Sequence, residues 1–304
     1  MIVRYERPYS HASHWARRLA RIAFAIFALS LLAHRFGPLT TPHFLALALL
    51  SGAFALVGVL LATIGLARLW QVAAVGGIAS LSALVYAAAP LGFLGFGAVQ
   101  YLRRPTIYDV TTDTVTPPPW IRVPAAERSW LARNPTVTPQ DREAQIVAYP
   151  GLTGRRYDGA LDRVFQGVRK VVGETRIATT AELGVENARA DFEDLAVRPG
   201  AGVDTNGEPG VIPVPAARPA PDPDIDGTLP GRRSSDIVLQ GEWRTLIVGF
   251  RFDVLIRLRE EAETTFVDLR VASRYGAHEL GMGAAFAEEF LRALDAELLG
   301  IAGG

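Results

Sequence analysis

Three transmembrane helices followed by an α+β domain with an antiparallel sheet is the architecture this sequence predicts. Three observations carry it: long uncharged runs in the first third, a break in charge near residue 104, and alternating strand and helix patterns beyond it. Among 304 residues, Lys plus Arg and Asp plus Glu each total 31, so the formal net charge is zero. Residues 1–104 nevertheless hold nine arginines against the single acid Glu6, a net of +8. Residues 105–304 hold the other 22 basic and 30 acidic residues, a net of −8. An acidic C-terminal part argues against nucleic acid as a partner. The absence of cysteine excludes disulfides, thiolate catalysis and cysteine-ligated metal or iron–sulfur sites.

The chain therefore divides into a membrane anchor, residues 1–104, and a soluble domain, residues 105–304. The second span is the clearest. Phe44 to Leu66 is 23 residues without a charge, and at 1.5 Å per residue it extends roughly 35 Å, enough for the hydrocarbon core. Gln71 to Leu102 is uncharged over 32 residues, too long for one upright crossing, so it tilts or rests its ends in the interface. Pro90 inside it removes one helical hydrogen bond. The first run, Ile22 to Ala33, is only 12 residues and is flanked by Arg17, Arg18, Arg21, His34 and Arg35. It spans if the arginine stems snorkel; a cleaved signal peptide and a surface helix are the competing readings. Spans at about 19–39, 44–66 and 73–98 result. Arg4, Arg7, Arg17, Arg18, Arg21 and Arg68 then fall on one side, and Arg35, Arg103 and Arg104 on the other. That bias puts the N-terminus in the cytoplasm and the C-terminal domain outside.

After Arg104 the triplet Pro117–Pro119 suppresses helix and suggests an extended lead. Gln145 to Tyr149 reads as a short strand. Tyr157 to Val172 reads as a helix, with Leu161, Val164, Phe165, Val168 and Val172 as its apolar stripe. Thr175–Leu183 and Ala190–Val197 are strand candidates. A stretch of about 199–233 follows, with eight prolines between Pro199 and Pro230; it builds no core and reads as an inserted loop. Ile237–Phe250 resumes strand character, with Gly241 allowing a bulge. Phe252, Val254, Ile256 and Leu258 alternate with more polar positions, giving a half-buried strand. A turn at Glu260–Glu263 leads into Val267, Leu269 and Val271, and the pair makes an antiparallel hairpin. Phe286, Phe290, Leu291, Leu294 and Leu298 form the stripe of a closing helix.

Three motifs carry a resemblance. They are Ile107-Tyr108-Asp109-Val110-Thr111-Thr112-Asp113 before Pro117 and Pro118; Gly249-Phe250-Arg251-Phe252-Asp253-Val254 running into Ile256-Arg257; and Val267-Asp268-Leu269-Arg270, then Ser273-Arg274-Tyr275-Gly276 and Glu279-Leu280-Gly281. Together they resemble the DUF1499 family, a domain of unknown function, over about residues 105–298. The N-terminal helices look like the three-span version found in alphaproteobacterial members. The resemblance implies a bacterial cytoplasmic (inner) membrane, where the arginine bias then puts the C-terminal domain in the periplasm, and it supplies no activity. Departures from the family pattern are Phe252 and Glu279 where it has Asp, Val271 where it has Ser, and Gly283 and Phe286 where Asn and Arg are common.

The polar residues of these motifs are the candidate site. Asp268, Arg270 and Arg274 share parity on one strand face, where the arginines suit a carboxylate or phosphate, or an ion-pair network with Asp253, Asp113 or Glu279. Asp109, Thr112 and Asp113 suit a cap or turn. Ser273 lacks a nucleophile elbow. His278 is the only histidine beyond residue 43, so no multi-histidine metal site is expected, nor any other metal or cofactor. No catalytic residue is assigned. The function expected is a membrane-tethered domain that binds a small amphipathic ligand or scaffolds an envelope protein, with the lipid bilayer as the first partner. A metal- or arginine-assisted hydrolase or transferase using Asp109, Asp113, Asp253, Arg270 and Arg274, or a small transport component, is the alternative.

Overall fold

The computed structural model describes residues 9–300 except 128, 132, 189–232, 234 and 262–263. The strand candidate at 190–197 and the proline-rich stretch therefore lie outside the described residues, Arg233 excepted. Three long helices come first: α1 (His11–Phe36), α2 (Thr41–Val72) and α3 (Gly77–Arg103). All three are long and apolar enough to cross a membrane. They pack through small residues: Ala16, Ala20 and Ala23 of α1, Ala55 and Ala62 of α2, and Ala83 and Ala87 of α3 are fully or almost fully buried. Association in lipid depends on such close backbone approach, because lipid tails are as apolar as leucine. Leu29, Leu32, Leu56, Leu60 and Leu81 face outward. At the bundle's far end, Ser80 Oγ donates to Ser13 Oγ at 3.0 Å. A Cβ on the neighbouring Gly65 would sit 2.2 Å from Ser13 Oγ.

The remaining elements are β1 (Asp109–Thr111), α4 (Pro139–Ala148), β2 (Arg155–Asp158), α5 (Leu161–Glu174), β3 (Ala178–Leu183), β4 (Ile237–Arg244), β5 (Arg251–Glu261), β6 (Thr264–Ser273) and α6 (Met282–Leu298). They form one antiparallel sheet in the order β1-β6-β5-β4-β3, and β2 shares the outer edge of β6 with β1. The central hairpin is in register from Phe252 opposite Ser273 to Glu261 opposite Thr264. One face carries Phe252, Val254, Ile256, Leu258, Val267, Leu269 and Val271, packed under α5 and α6 through Val168, Val171, Phe286, Phe290 and Leu294.

Several local expectations are corrected. Residues 145–148 close α4 rather than forming a strand. Thr138 starts that helix with a capping box, accepting from Asp141 N while the Asp141 carboxylate accepts from Thr138 N. These cap signals outrank a five-residue apolar window. The helix expected from Tyr157 begins instead at Leu161, because Arg155–Asp158 pairs with β6 and Gly159 turns the chain at φ 152°. The strand expected to reach Phe250 stops at Arg244. There Thr245 Oγ1 accepts from Gly249 N at 3.1 Å and Phe250 N at 2.9 Å, closing a turn with Gly249 at φ 86°. The bulge falls in β3, between Thr179 and Ala181, opposite Gly241. A Cβ on Gly241 would approach the Ala178 carbonyl oxygen to 2.8 Å, so glycine is what lets these strands meet.

The largest correction concerns β5. It is buried on both faces, Leu255 and Arg257 as fully as Val254 and Ile256. The extended lead is the cover. From Thr112 to Glu127 the chain crosses the second sheet face as a strap. Thr116 and Pro118 offer carbonyls to Arg257 and Arg270, and Arg122 exchanges two backbone–amide bonds with Gln240. The domain also docks on the helix bundle. His34 Nδ1 donates to Val248 O at 2.8 Å and Arg35 Nε to Leu246 O at 3.1 Å. Phe250 joins the ring cluster of His34 and Phe44.

Candidate functional site

Strand alternation places Asp253 and Arg257 of β5, Asp268 and Arg270 of β6, and Asp109 of β1 on the strap-covered face. Register then decides which charges meet: Arg257 lies opposite Asp268, and Asp253 opposite Glu242. The result is three ion-pair groups.

In the first, Arg257 reaches Asp268 Oδ2 from Nε at 3.2 Å and from Nη2 at 2.6 Å, and Nη2 also donates to Asp113 Oδ2 at 2.9 Å. Thr112 Oγ1 donates to Asp268 Oδ1 at 3.2 Å and accepts from Leu269 N at 2.9 Å. Asp113 also turns the strap, accepting from Val115 N, Thr116 N and Thr116 Oγ1. Burial by itself would raise the Asp113 carboxyl, but the Thr116 bonds and Arg257 outweigh it and hold it below the usual range.

The second group centres on Asp109. Arg142 Nη2 donates to it at 2.8 Å, and Arg270 Nε reaches its two oxygens at 3.1 and 3.0 Å. Arg270 Nη1 also donates to Pro118 O at 2.7 Å, with its guanidinium over the Trp120 ring. Gln145 serves as a strand neighbour for the free edge of β1, accepting from Thr111 N at 3.2 Å and donating to Thr111 O at 2.6 Å. In the third group, Arg274 grips Asp253 through Nε and Nη2 at 2.9 and 2.8 Å and donates from Nη1 to Glu242 Oε2 at 2.7 Å.

Ser273 and Glu279 stand apart from these groups. Ser273 Oγ donates to Tyr275 O at 3.0 Å. Glu279, almost fully buried, accepts from Tyr149 OH at 2.7 Å and from Gly283 N, in the first turn of α6, at 2.6 Å. Burial, and then the Glu279 carboxylate, push the Tyr149 phenol upward. His278 Nδ1 accepts from Leu280 N at 2.8 Å, so Nε2 carries the proton and donates to Arg104 O at 3.1 Å. That bond ties the β6–α6 loop to the end of α3.

Between that loop and the helix ends is a cavity of about 580 Å³. His34, Leu39 and Thr41 bound it from α1, α2 and their connection, and Tyr101 from α3. Phe250, Arg251, Arg274, Tyr275, His278 and Glu279 bound it from the soluble domain. The second and third sequence motifs thus supply much of one wall.

Sequence reasoning passed over Arg257, Arg142, Glu242 and Gln145 as site residues. Arg257 had only a partial signal, the strand parity it shares with Asp253: the turn expected at Glu260–Glu263 would set it opposite Phe266, and the observed closure with Glu261 opposite Thr264 sets it opposite Asp268. Arg142 had none, because its partner is 33 positions away on another element. Among the described residues, no cluster of three or more His, Cys, Asp or Glu suits a metal ion.

Residues 224–294 match the family described as protein of unknown function (DUF1499). The C-terminal part of the chain is thus a DUF1499-family region, holding the second and third motifs, while the first at 107–113 lies outside the matched range. No curated protein and no solved structure matches the chain.

Proposed function

We propose that the chain is a membrane-anchored, non-catalytic domain that binds a small amphipathic molecule in the junction cavity. The observation that carries this reading is the convergence of the membrane helix ends and the β6–α6 motif loop on that one space. Pockets of this size, apolar with a few placed polar groups, are typical of small-molecule sites. Here Leu39, Phe250 and Met282 supply apolar wall, and Thr41 and Arg251 supply polar groups. A cavity at the helix ends lies at headgroup depth, within reach of an amphipath leaving the bilayer.

The ion-pair face supports a structural role for Asp109, Thr112, Asp113, Asp253, Asp268, Arg270 and Arg274. Each of the four aspartates there is paired with an arginine. The arginines also bind strap carbonyls, so the network holds the strap on the sheet. Helix polarity supports a periplasmic position in a bacterial inner membrane. The ends of α1 and α3 and the start of α2 face the domain, with Arg35, Arg103 and Arg104, while Arg17, Arg18, Arg21 and Arg68 lie towards the other end.

The test is lipidomics on protein purified in a mild detergent, beside the cavity-filling variant Ala277→Trp. One class of amphipath should be enriched over the bulk membrane extract in the wild type and lost in the folded variant. Equal lipid profiles for wild type, variant and bulk membrane would defeat the reading.

A further inference from the structure

A second cavity, of about 680 Å³, lies on the other side of the 123–133 stretch. Val123, Pro124 and Ala126 face this one, whereas Ala125, Glu127 and Leu131 face the junction cavity. Its floor is the Asp109 group, and Trp120, Pro117 and Pro135 stand among its walls. We propose that it is a binding site for a small oxyanion, a carboxylate or phosphate monoester, carried on an apolar ring.

The charge count points to an anion. Asp109 is the only acid among the described lining residues, and Arg142 and Arg270 share it. Asp141, also on α4, spends its Oδ2 on Thr138 N and Oγ1. With Arg133, which also lines the cavity, and Asp141 beside it, three guanidiniums stand against two carboxylates, and the Arg142 and Arg270 side chains are about seven-eighths buried, at 12% and 13% exposure. A partly desolvated, unmatched cation favours an incoming anion more than a surface arginine does.

Donor geometry agrees. A guanidinium carries five N–H groups. Arg142 uses Nη1 on Asp109 O and Gln145 Oε1 and Nη2 on Asp109 Oδ1, and its Nε is not engaged in these bonds. Arg270 uses Nε on Asp109, one Nη1 hydrogen on Pro118 O and one Nη2 hydrogen on Asp109. Donors therefore remain on both residues at the cavity floor, in the planar arrangement that suits a carboxylate or phosphate. The indole of Trp120 and the proline rings add apolar wall, which selects an oxyanion with a ring attached over a bare inorganic one.

The site is independent of the junction cavity and is tested separately. Isothermal titration calorimetry on the full chain in detergent micelles would use benzoate, phenyl phosphate and the neutral benzamide. Saturable 1:1 binding of at least one anion is expected, at least about tenfold tighter than benzamide; whichever of the two binds tighter identifies the anion chemistry. Arg142→Gln should weaken that anion by about tenfold or more. If Arg142→Gln does not fold, Thr136→Trp at the cavity rim decides, and should block binding. Absence of saturable anion binding to the wild type overturns the proposal. So does benzamide binding as tightly as the anions, or unchanged anion affinity in a folded Arg142→Gln or Thr136→Trp.

Discussion

Arg257 lies directly across the hairpin from Asp268 and donates to its Oδ2 at 2.6 Å, with the arginine side chain only 1% exposed. A guanidinium this deep is tolerable only because Asp268, Asp113 and the Thr116 carbonyl surround it. Arg257→Ala would strand Asp268 under the strap with Thr112 as its remaining side-chain donor. The expected cost is about 3–5 kcal/mol, the range for breaking a buried pair from one side. Urea denaturation of the detergent-solubilised chain, followed by tryptophan fluorescence, measures it. A loss below about 1 kcal/mol would mean that water reaches the pair.

Asp109 is held differently, by Arg142 and Arg270 together. Removing either arginine leaves the carboxylate one cation, so each single alanine variant should cost only about 1.5–3 kcal/mol, as for a charged hydrogen bond. Removing both leaves it none. The double variant should therefore lose more than the sum of the two singles, with a coupling of about 0.5–3 kcal/mol. A double-mutant cycle on thermal or urea unfolding reads this directly, and simple additivity would show that the arginines act separately.

The membrane spans and the central hairpin were legible in the sequence because each is a local pattern. Uncharged length marks a span, and the alternation from Phe252 to Leu258 and from Val267 to Val271 marks the strands. Parity also placed Asp268 and Arg270 on one face. What local pattern does not encode is the partner across space. The burial of Leu255 and Arg257 depends on a strap that begins over a hundred residues earlier, and the sequence shows it only as a proline-rich lead. Residues 145–149 misled because a five-residue, mostly apolar window fits either a strand or a helix end, and the deciding signal was the Thr138–Asp141 cap upstream. The junction cavity was not legible at all, since its walls come from six separate stretches of chain.

Acid should loosen the strap face. The folded-state carboxyls of Asp113 and Glu242 sit below their ordinary range: burial would raise both, but hydrogen bonds from Thr116 and Arg257, and from Arg244 with the nearby charge of Arg274, prevail. A lowered folded pKa gives stability that is present above the unfolded value and is lost as pH falls through the folded one. Asp236, raised by burial, has the opposite sign: its contribution is greatest at low pH and fades as pH rises through its folded value. It opposes part of the trend. The melting temperature should fall between about pH 5 and pH 3. Asp113→Asn should be less stable than wild type at pH 7, and the gap should narrow over that window. A gap constant with pH would show that the Asp113 carboxyl is not lowered.

Topology is the prediction on which the compartment of both cavities rests. The chain leaves α1 and α3 towards the domain and enters α2 from it, so one end of the bundle holds Arg35, Arg103 and Arg104. The sequence assigns Arg4, Arg7, Arg17, Arg18, Arg21 and Arg68 to the other side, six arginines against three. Positive residues near span ends are retained on the cytoplasmic side. An alkaline phosphatase fusion at Gly304 should therefore be active, and a fluorescent protein of the kind that matures only in the cytoplasm should stay dark there. The cause can be tested as well as the outcome. Replacing Arg17, Arg18 and Arg21 by serine leaves three arginines on each side and removes the bias, so the same fusions should report a mixed population. Unchanged phosphatase activity in that triple variant would show that something other than arginine asymmetry orients the bundle. A bright fluorescent fusion to the unaltered chain would place the domain in the cytoplasm.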